Sequence, residues 1–176
     1  RALLKENRRD FYDEIIDPIE DTELDHFEFM EKLLSAIAQK IGVKYGNVSF
    51  RTFNTPAFDM RDSENIFYGP DYDQTVVAQS LKDFEDQNAG KTGIIRYVAE
   101  FKDTYYTNNA KEDDKYVMVK EEVHSEMSAP MKDKYGIVYG VFSLSSVHKN
   151  FFNEVLVNTI KKVVEKATQS FIQKKE

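Results

Sequence analysis

The chain has 176 residues, of which 41% are hydrophobic and 31% charged, with a formal net charge of -7 and no cysteine. That is one domain's length with enough apolar material for a core, while Lys and Arg scattered among acids rather than gathered in a stripe argue against nucleic acid as a partner. The lack of cysteine removes disulfides, thiolate metal sites and thiol nucleophiles, and suits a cytoplasmic protein.

No apolar run reaches the roughly 18 residues that a spanning helix needs, and no charged-then-apolar signal segment opens the chain, so a soluble segment without membrane contact is expected. Because the first residue is Arg1 rather than Met, the sequence reads as an excised piece, outside which a membrane anchor or an output domain could lie.

Leu4, Phe11, Tyr12, Ile15, Ile16 and Ile19 recur at helical spacing among charged residues, an amphipathic helix that Asp17-Pro18 interrupts. Two readings are open for it: packing on the domain's own sheet, or the tail of an upstream helix that pairs with a second subunit. Residues 1–20 are accordingly set apart as a helical extension from a domain over 21–176. Thr22 or Asp21 caps the next helix, whose face of Leu24, Phe27, Met30, Leu33, Leu34, Ile37, Ala38 and Ile41 ends at Gly42.

A first strand alternates over 47–53, with Val48, Phe50 and Thr52 on one face. After a turn at Asn54-Thr55-Pro56, extended structure resumes near Ile66-Phe67-Tyr68 and breaks at Gly69-Pro70-Asp71. Val76, Val77, Ser80, Leu81 and Phe84 mark a helix over 74–87, and Asn88-Ala89-Gly90 ends it. The charged stretch 111–115 is a loop or helix start, and Tyr116 to Val119 leads into the next strand. Phe152, Leu156, Thr159, Ile160, Val163, Ala167 and Phe171 define a closing helix over 150–173; Val155, Val157 and Val164 widen its apolar arc, so it should touch either the opening helices or a partner subunit.

The central stretch runs through Gly90-Lys91-Thr92-Gly93-Ile94-Ile95-Arg96-Tyr97-Val98-Ala99, then Tyr105-Tyr106-Thr107-Asn108-Asn109, then strands at Ser125 to Met131 and Tyr135 to Ser145, the latter carrying Gly140-Val141-Phe142-Ser143-Leu144-Ser145. In that order these elements resemble the second half of a GAF domain, and the resemblance extends more weakly from about Leu24 to about Phe171. It agrees with the α+β pattern of the segments and implies the profilin/PAS-like architecture: a central antiparallel sheet of about six strands, with the terminal helices on one face and a ligand pocket on the other. In this chain the helices over 22–41 and 150–173 would share a face, and segments 74–101 and 108–122 would close the pocket. The resemblance also implies a homodimer through the terminal helices.

His26, His124 and His148 lack metal-ligand spacing and read as surface or loop residues. Some GAF domains hold haem through one histidine, and His124 is the candidate for that role. Asp113-Asp114 and Glu121-Glu122 read as solvated charge rather than cation sites, so no metal is expected. No phosphate loop, dinucleotide fingerprint or nucleophile elbow is present. The family's free methionine sulfoxide reductases and its thiol-linked bilin proteins both work through cysteine, which this chain lacks. Asn150-Phe151-Phe152-Asn153-Glu154 keeps only fragments of the cyclic-nucleotide pattern.

In the implied pocket segments, Phe50, Tyr68, Arg96, Tyr97, Tyr105, Asn108, Tyr116 and Ser128 are the candidate ligand contacts, aromatic with a few directing polar groups. Arg96 stands out as a cation for an anionic ligand. The resemblance implies a non-catalytic sensory or regulatory domain that binds an unidentified small molecule and relays the change to an output module in signal transduction. The alternative is a GAF-like dimerisation or protein-interaction module whose pocket is filled by its own aromatics.

Overall fold

Asp25 opens the first complete helix: in extended backbone, its carboxylate accepts from the amides of Phe27 and Glu28, both at 2.9 Å, satisfying two of the donors that a helix start leaves unpaired. The computed structural model describes residues 11, 13–17, 19, 23–53, 58–89 and 91–175. Thr22 and Asp21, expected as the cap, lie outside them, as do Leu4, Tyr12, the Pro18 break, the Asn54-Thr55-Pro56 turn and Gly90; Asp25 takes the capping role instead.

Helix α1 (His26–Ile41) ends as anticipated at Gly42, left-handed at φ 79°. It is followed by β1 (Tyr45–Phe50), β2 (Glu64–Tyr68), α2 (Gln74–Gln87), α3 (Ile94–Phe101), β3 (Tyr105–Thr107), a 3-10 turn at Ala110–Glu112, β4 (Ser125–Lys132), β5 (Val138–Ser146) and α4 (Glu154–Lys175). The strands form one antiparallel sheet in the order β2-β1-β5-β4-β3. Pro130 is tolerated in β4 because β3 pairs only with Glu126 to Ser128, so no strand on that side calls for its missing N–H.

This is the expected α+β architecture with five strands among the described residues instead of about six. The stretch from Tyr116 to Val119 does not lead into a ladder. It belongs to a loop that spends its apolar residues on packing: Tyr116 and Val123 are buried in a roof above the sheet. β1 stops at Phe50, and Phe53 is 54% exposed. Tyr135 to Ile137 form a turn, not the start of a strand. The Asp133 carboxylate accepts from the amides of Tyr135 and Ile137, and Gly136 between them is left-handed.

Two apolar clusters flank the sheet. Val48, Phe50, Met127, Ala129, Met131, Phe142 and Leu144 pack under α1 and α4, whereas Tyr45 and Val141 pack under α3 and the roof loop. The terminal helices therefore share one face and the roof covers the other. Residues 13–17 and 19 are helical, and Ile15, Ile16 and Ile19 are buried in the α1/α4 cluster. The wide arc of α4 is consumed there too, with Val157, Ile160, Val163, Val164, Ala167 and Phe171 buried and Val155 left 56% exposed.

Candidate functional site

Alternation along the strands gives the roof side of the sheet a polar floor. Asn47 and Ser49 of β1, Ser128 of β4 and Ser143 of β5 are all buried there. The Ser49 hydroxyl meets the amide oxygens of Asn47, at 3.0 Å, and of Asn65; Asn65 Nδ2 donates to Gln74 Oε1 at 2.6 Å; Ser128 and Ser143 share a hydrogen bond of 2.7 Å. A floor this deep has to be satisfied internally, and its bonds fix the strands beneath whatever the roof encloses.

Above the floor, α2, α3 and the 113–124 loop close over a cavity of about 70 Å³. Phe58, Tyr72, Val77, Ile94 and Val117 give it apolar and aromatic walls, while Glu126 enters from the floor. The volume suffices for a few waters or a small polar molecule and falls short of the roughly 300–1,000 Å³ of drug-sized sites. Two clasps hold the roof. Arg61 bonds Asp59 at 2.6 Å and Glu85 of α2 at 2.8 Å. The Lys44 ammonium lies 2.8 Å from Glu122, which also accepts from the Tyr45 hydroxyl. The bonds from Arg61 hold the Asp59 carboxyl below its ordinary value.

Glu126 is the chemically unusual group of the site. It is partly buried beneath the roof, and it lines the cavity. Burial pushes its carboxyl up to about 7; the Ser145 hydroxyl, donating at 3.0 Å to Oε1, pulls the other way, and the Asp113 charge adds to the rise. Burial and then the charge of Glu126 raise the phenols of Tyr72 and Tyr116 as well.

The structure divides the eight candidate residues. Arg96 lines the cavity from α3, with its guanidinium 3.0 Å from Glu100 one turn on. Tyr116 is buried in the roof near Glu126, and Ser128 lies in the floor, bonded to Ser143 and not part of the cavity wall. Tyr97 and Tyr105 meet edge to face at 5.4 Å beside the roof; the Tyr105 hydroxyl donates to Asp113, and the Lys115 ammonium lies 5.0 and 5.5 Å from the two rings.

Three expectations are corrected. Phe50 and Tyr68 point to the opposite face: Phe50 stacks on Phe171 at 5.4 Å and meets the edge of Phe27 at 4.9 Å, and Tyr68 packs against the same cluster. Asn108 is a clamp, with Nδ2 donating to the Phe152 carbonyl at 2.7 Å and Oδ1 accepting from the Phe152 amide at 3.0 Å. His124 stands at the start of β4 and lines none of the cavity, although its Nδ1 is buried without a partner among the described residues.

Sequence reasoning missed Glu126, Tyr72, Phe58 and Val117. A signal for Glu126 existed: it alternates with Met127, Ala129 and Met131 in a strand covered on both faces, where a carboxyl is costly.

No protein-family model matches the sequence, and no curated protein does. Solved structures do match. The GAF domain of phosphoenolpyruvate-protein phosphotransferase from Acinetobacter superposes with a TM-score of 0.70 at 10% identity, over 94% of this chain and 93% of that one. This is a GAF-like fold. The nlh2 GAF domain of A. aeolicus, in an inactive state, gives 0.62 at 17% identity over 98% of this chain and 99% of that one. The free methionine-R-sulfoxide reductase of Neisseria meningitidis, in complex with its substrate, gives 0.67 at 16% identity over 94% and 90%. Identities this low carry the fold and no chemistry. In this chain the terminal helices lie on one face of the sheet and the cavity on the other. Among the described residues no helix is long and apolar enough to cross a membrane.

Proposed function

We propose that the chain is a non-catalytic sensory or regulatory GAF domain, which binds a small molecule between sheet and roof and relays the change to an output module in signal transduction. The observation that supports this reading is the cavity between sheet and roof, with apolar and aromatic walls and the Glu126 carboxyl on its floor, built on the fold that GAF domains share.

In this reading the change reaches the terminal helices through hydrogen bonds that tie the β4 and β3 ends to the start of α4. Ser125, next to Glu126, donates to the His148 carbonyl at 2.7 Å, and Asn108 grips Phe152 just before α4. A ligand that drew β4 or the roof inward would load this connection, provided it binds one helix arrangement better than the other, since equal affinity shifts nothing. In this reading the terminal helices pair in a homodimer and carry the change outward.

Native mass spectrometry of the purified chain, repeated after gentle unfolding, tests the proposal. A discrete extra mass that unfolding removes is the expected result. A bare mass, with no thermal shift across a nucleotide and metabolite panel, would overturn it in favour of a protein-interaction module. The small aromatic-lined volume is the observation that favours that second reading.

A further inference from the structure

Glu126 is the single carboxyl on the roof side of the sheet among the described residues: the other strand carboxyl, Glu64, pairs with Phe50 and shares its face. One of its oxygens accepts a hydrogen bond from the Ser145 hydroxyl. No described lysine, arginine or histidine bonds either oxygen. The cations around the cavity are engaged elsewhere, Arg61 with Asp59 and Glu85, Arg96 with Glu100, and Lys91 with Asp114 at 3.8 Å. Lys132, further along β4, reaches instead to the Lys102 carbonyl at 2.8 Å. A part-buried carboxyl with no counter-ion among the described residues is costly to keep charged, and this one lines the cavity.

We infer that the cavity takes a small ligand by a protonated amine, for which Glu126 is the counter-ion; the inference rests on the small-molecule reading above. An anionic head group in the same place would meet Glu126 with like charge. A divalent cation needs about six oxygen ligands, and no three carboxyl or imidazole groups converge among the described residues. An ammonium needs one carboxylate and tolerates aromatic neighbours. Tyr72 lines the cavity and Tyr116 lies close enough for both phenols to feel the Glu126 charge, so their rings add cation–π attraction in a desolvated site. The apolar walls from Val77, Ile94 and Val117 then suit a short hydrocarbon tail.

Binding of this kind is linked to pH. The groups that face Glu126 or share its cavity are Tyr72 from the β2–α2 connection, Tyr116 and Asp113 from the roof loop, and Asp59, Glu85, Lys91 and Arg96 around the wall. The two phenols stay neutral at pH 6 to 8 because both are shifted upward. With its carboxyl near 7, Glu126 is about nine-tenths ionised at pH 8 and one-tenth at pH 6, so affinity for an ammonium falls roughly tenfold between them.

The test uses three probes of matched size, propylammonium, propionate and propionamide, titrated into the full chain while amide resonances of Val77, Ile94 and Val117 are followed by NMR. Propylammonium is expected to move those resonances, about tenfold more weakly at pH 6 than at pH 8, and at least tenfold more weakly in Glu126→Gln. If propionate or propionamide binds there as well as propylammonium, or if Glu126→Gln keeps full affinity, the amine assignment is overturned while the sensor reading stands. If none of the three binds, the amine assignment also fails, and the mass measurement above separately decides whether any ligand exists. Should the variant not fold, the wild-type pH dependence decides: affinity independent of pH from 6 to 8 overturns the inference.

Discussion

At the scale of single residues, Glu126 ties stability to pH in the direction opposite to an ordinary surface acid. Its folded carboxyl titrates near 7 against an ordinary 4.5. Between those values the folded chain holds a proton that the unfolded chain has released, so this group makes stability fall as pH rises through the window. The full shift corresponds to roughly 3 kcal/mol. Glu126→Gln keeps the shape and removes the titration. Urea unfolding is therefore expected to show variant and wild type close together at pH 5, and the variant more stable by about 2–3 kcal/mol at pH 8. Parallel curves across that range would mean that Glu126 is hydrated in solution. Asp59 acts the other way. Arg61 lowers its carboxyl, so its contribution is present above the unfolded value and is lost as pH falls.

Between elements, the grip of Asn108 on both backbone groups of Phe152 joins the exit of β3 to the start of α4. Asn108→Ala removes two hydrogen bonds and strands the groups that made them, at a cost of about 1–3 kcal/mol by urea unfolding. Because Asn108 lies outside the cavity wall, affinity for a bound ligand should hardly change; a loss of binding at full stability would return it to the ligand site. Gly140 sets how closely β5 approaches its neighbours: a Cβ there would come within 2.5 Å of the Ser49 carbonyl oxygen and 3.2 Å of Met131 Sδ. The carbonyl is held in the ladder and cannot move cheaply, so Gly140→Ala is expected to cost about 1–3 kcal/mol of thermal or urea stability.

The same scale shows what was legible in the sequence. The 3.6-residue period of α2 and the left-handed residue that ends α1 are local features, and residues 74–87 and Gly42 fell where their pattern required. The error on Phe50 and Tyr68 has a physical cause. Alternation tells which side chains of a strand travel together, and Val48 and Phe50 did. It does not tell which layer they meet, and in β1 every residue is buried, so no polar face marks the outside. Glu126 was legible in principle, because its strand was recognised and its charge breaks the pattern. The roof loop was not: Tyr116 and Val123 look like strand residues and are used for packing over the sheet.

Over the whole molecule, the terminal helices are the part whose sequence allowed two answers. The broad apolar arc of α4 called for cover from either the opening helix or a second chain. Ile15, Ile16 and Ile19, each at most 6% exposed within the single chain, lie in the same core as α4. Burial of a large aliphatic side chain stabilises by about 1.5–3 kcal/mol, so the gross contribution of three of them rivals the net stability of many domains. Removing residues 1–20 is therefore expected to lower the urea midpoint sharply or leave the chain unfolded. Intrachain packing makes that loss independent of protein concentration. If the opening helix instead acted by pairing two chains, the intact protein would show a midpoint that rises with concentration, and the truncated chain would stay folded as a monomer in light scattering. Urea unfolding and light scattering of the truncated chain separate the two, and we expect a destabilised or unfolded chain rather than a folded monomer. The intact midpoint alone does not separate them, because a homodimer built on helix surfaces that this core leaves free would raise it with concentration as well.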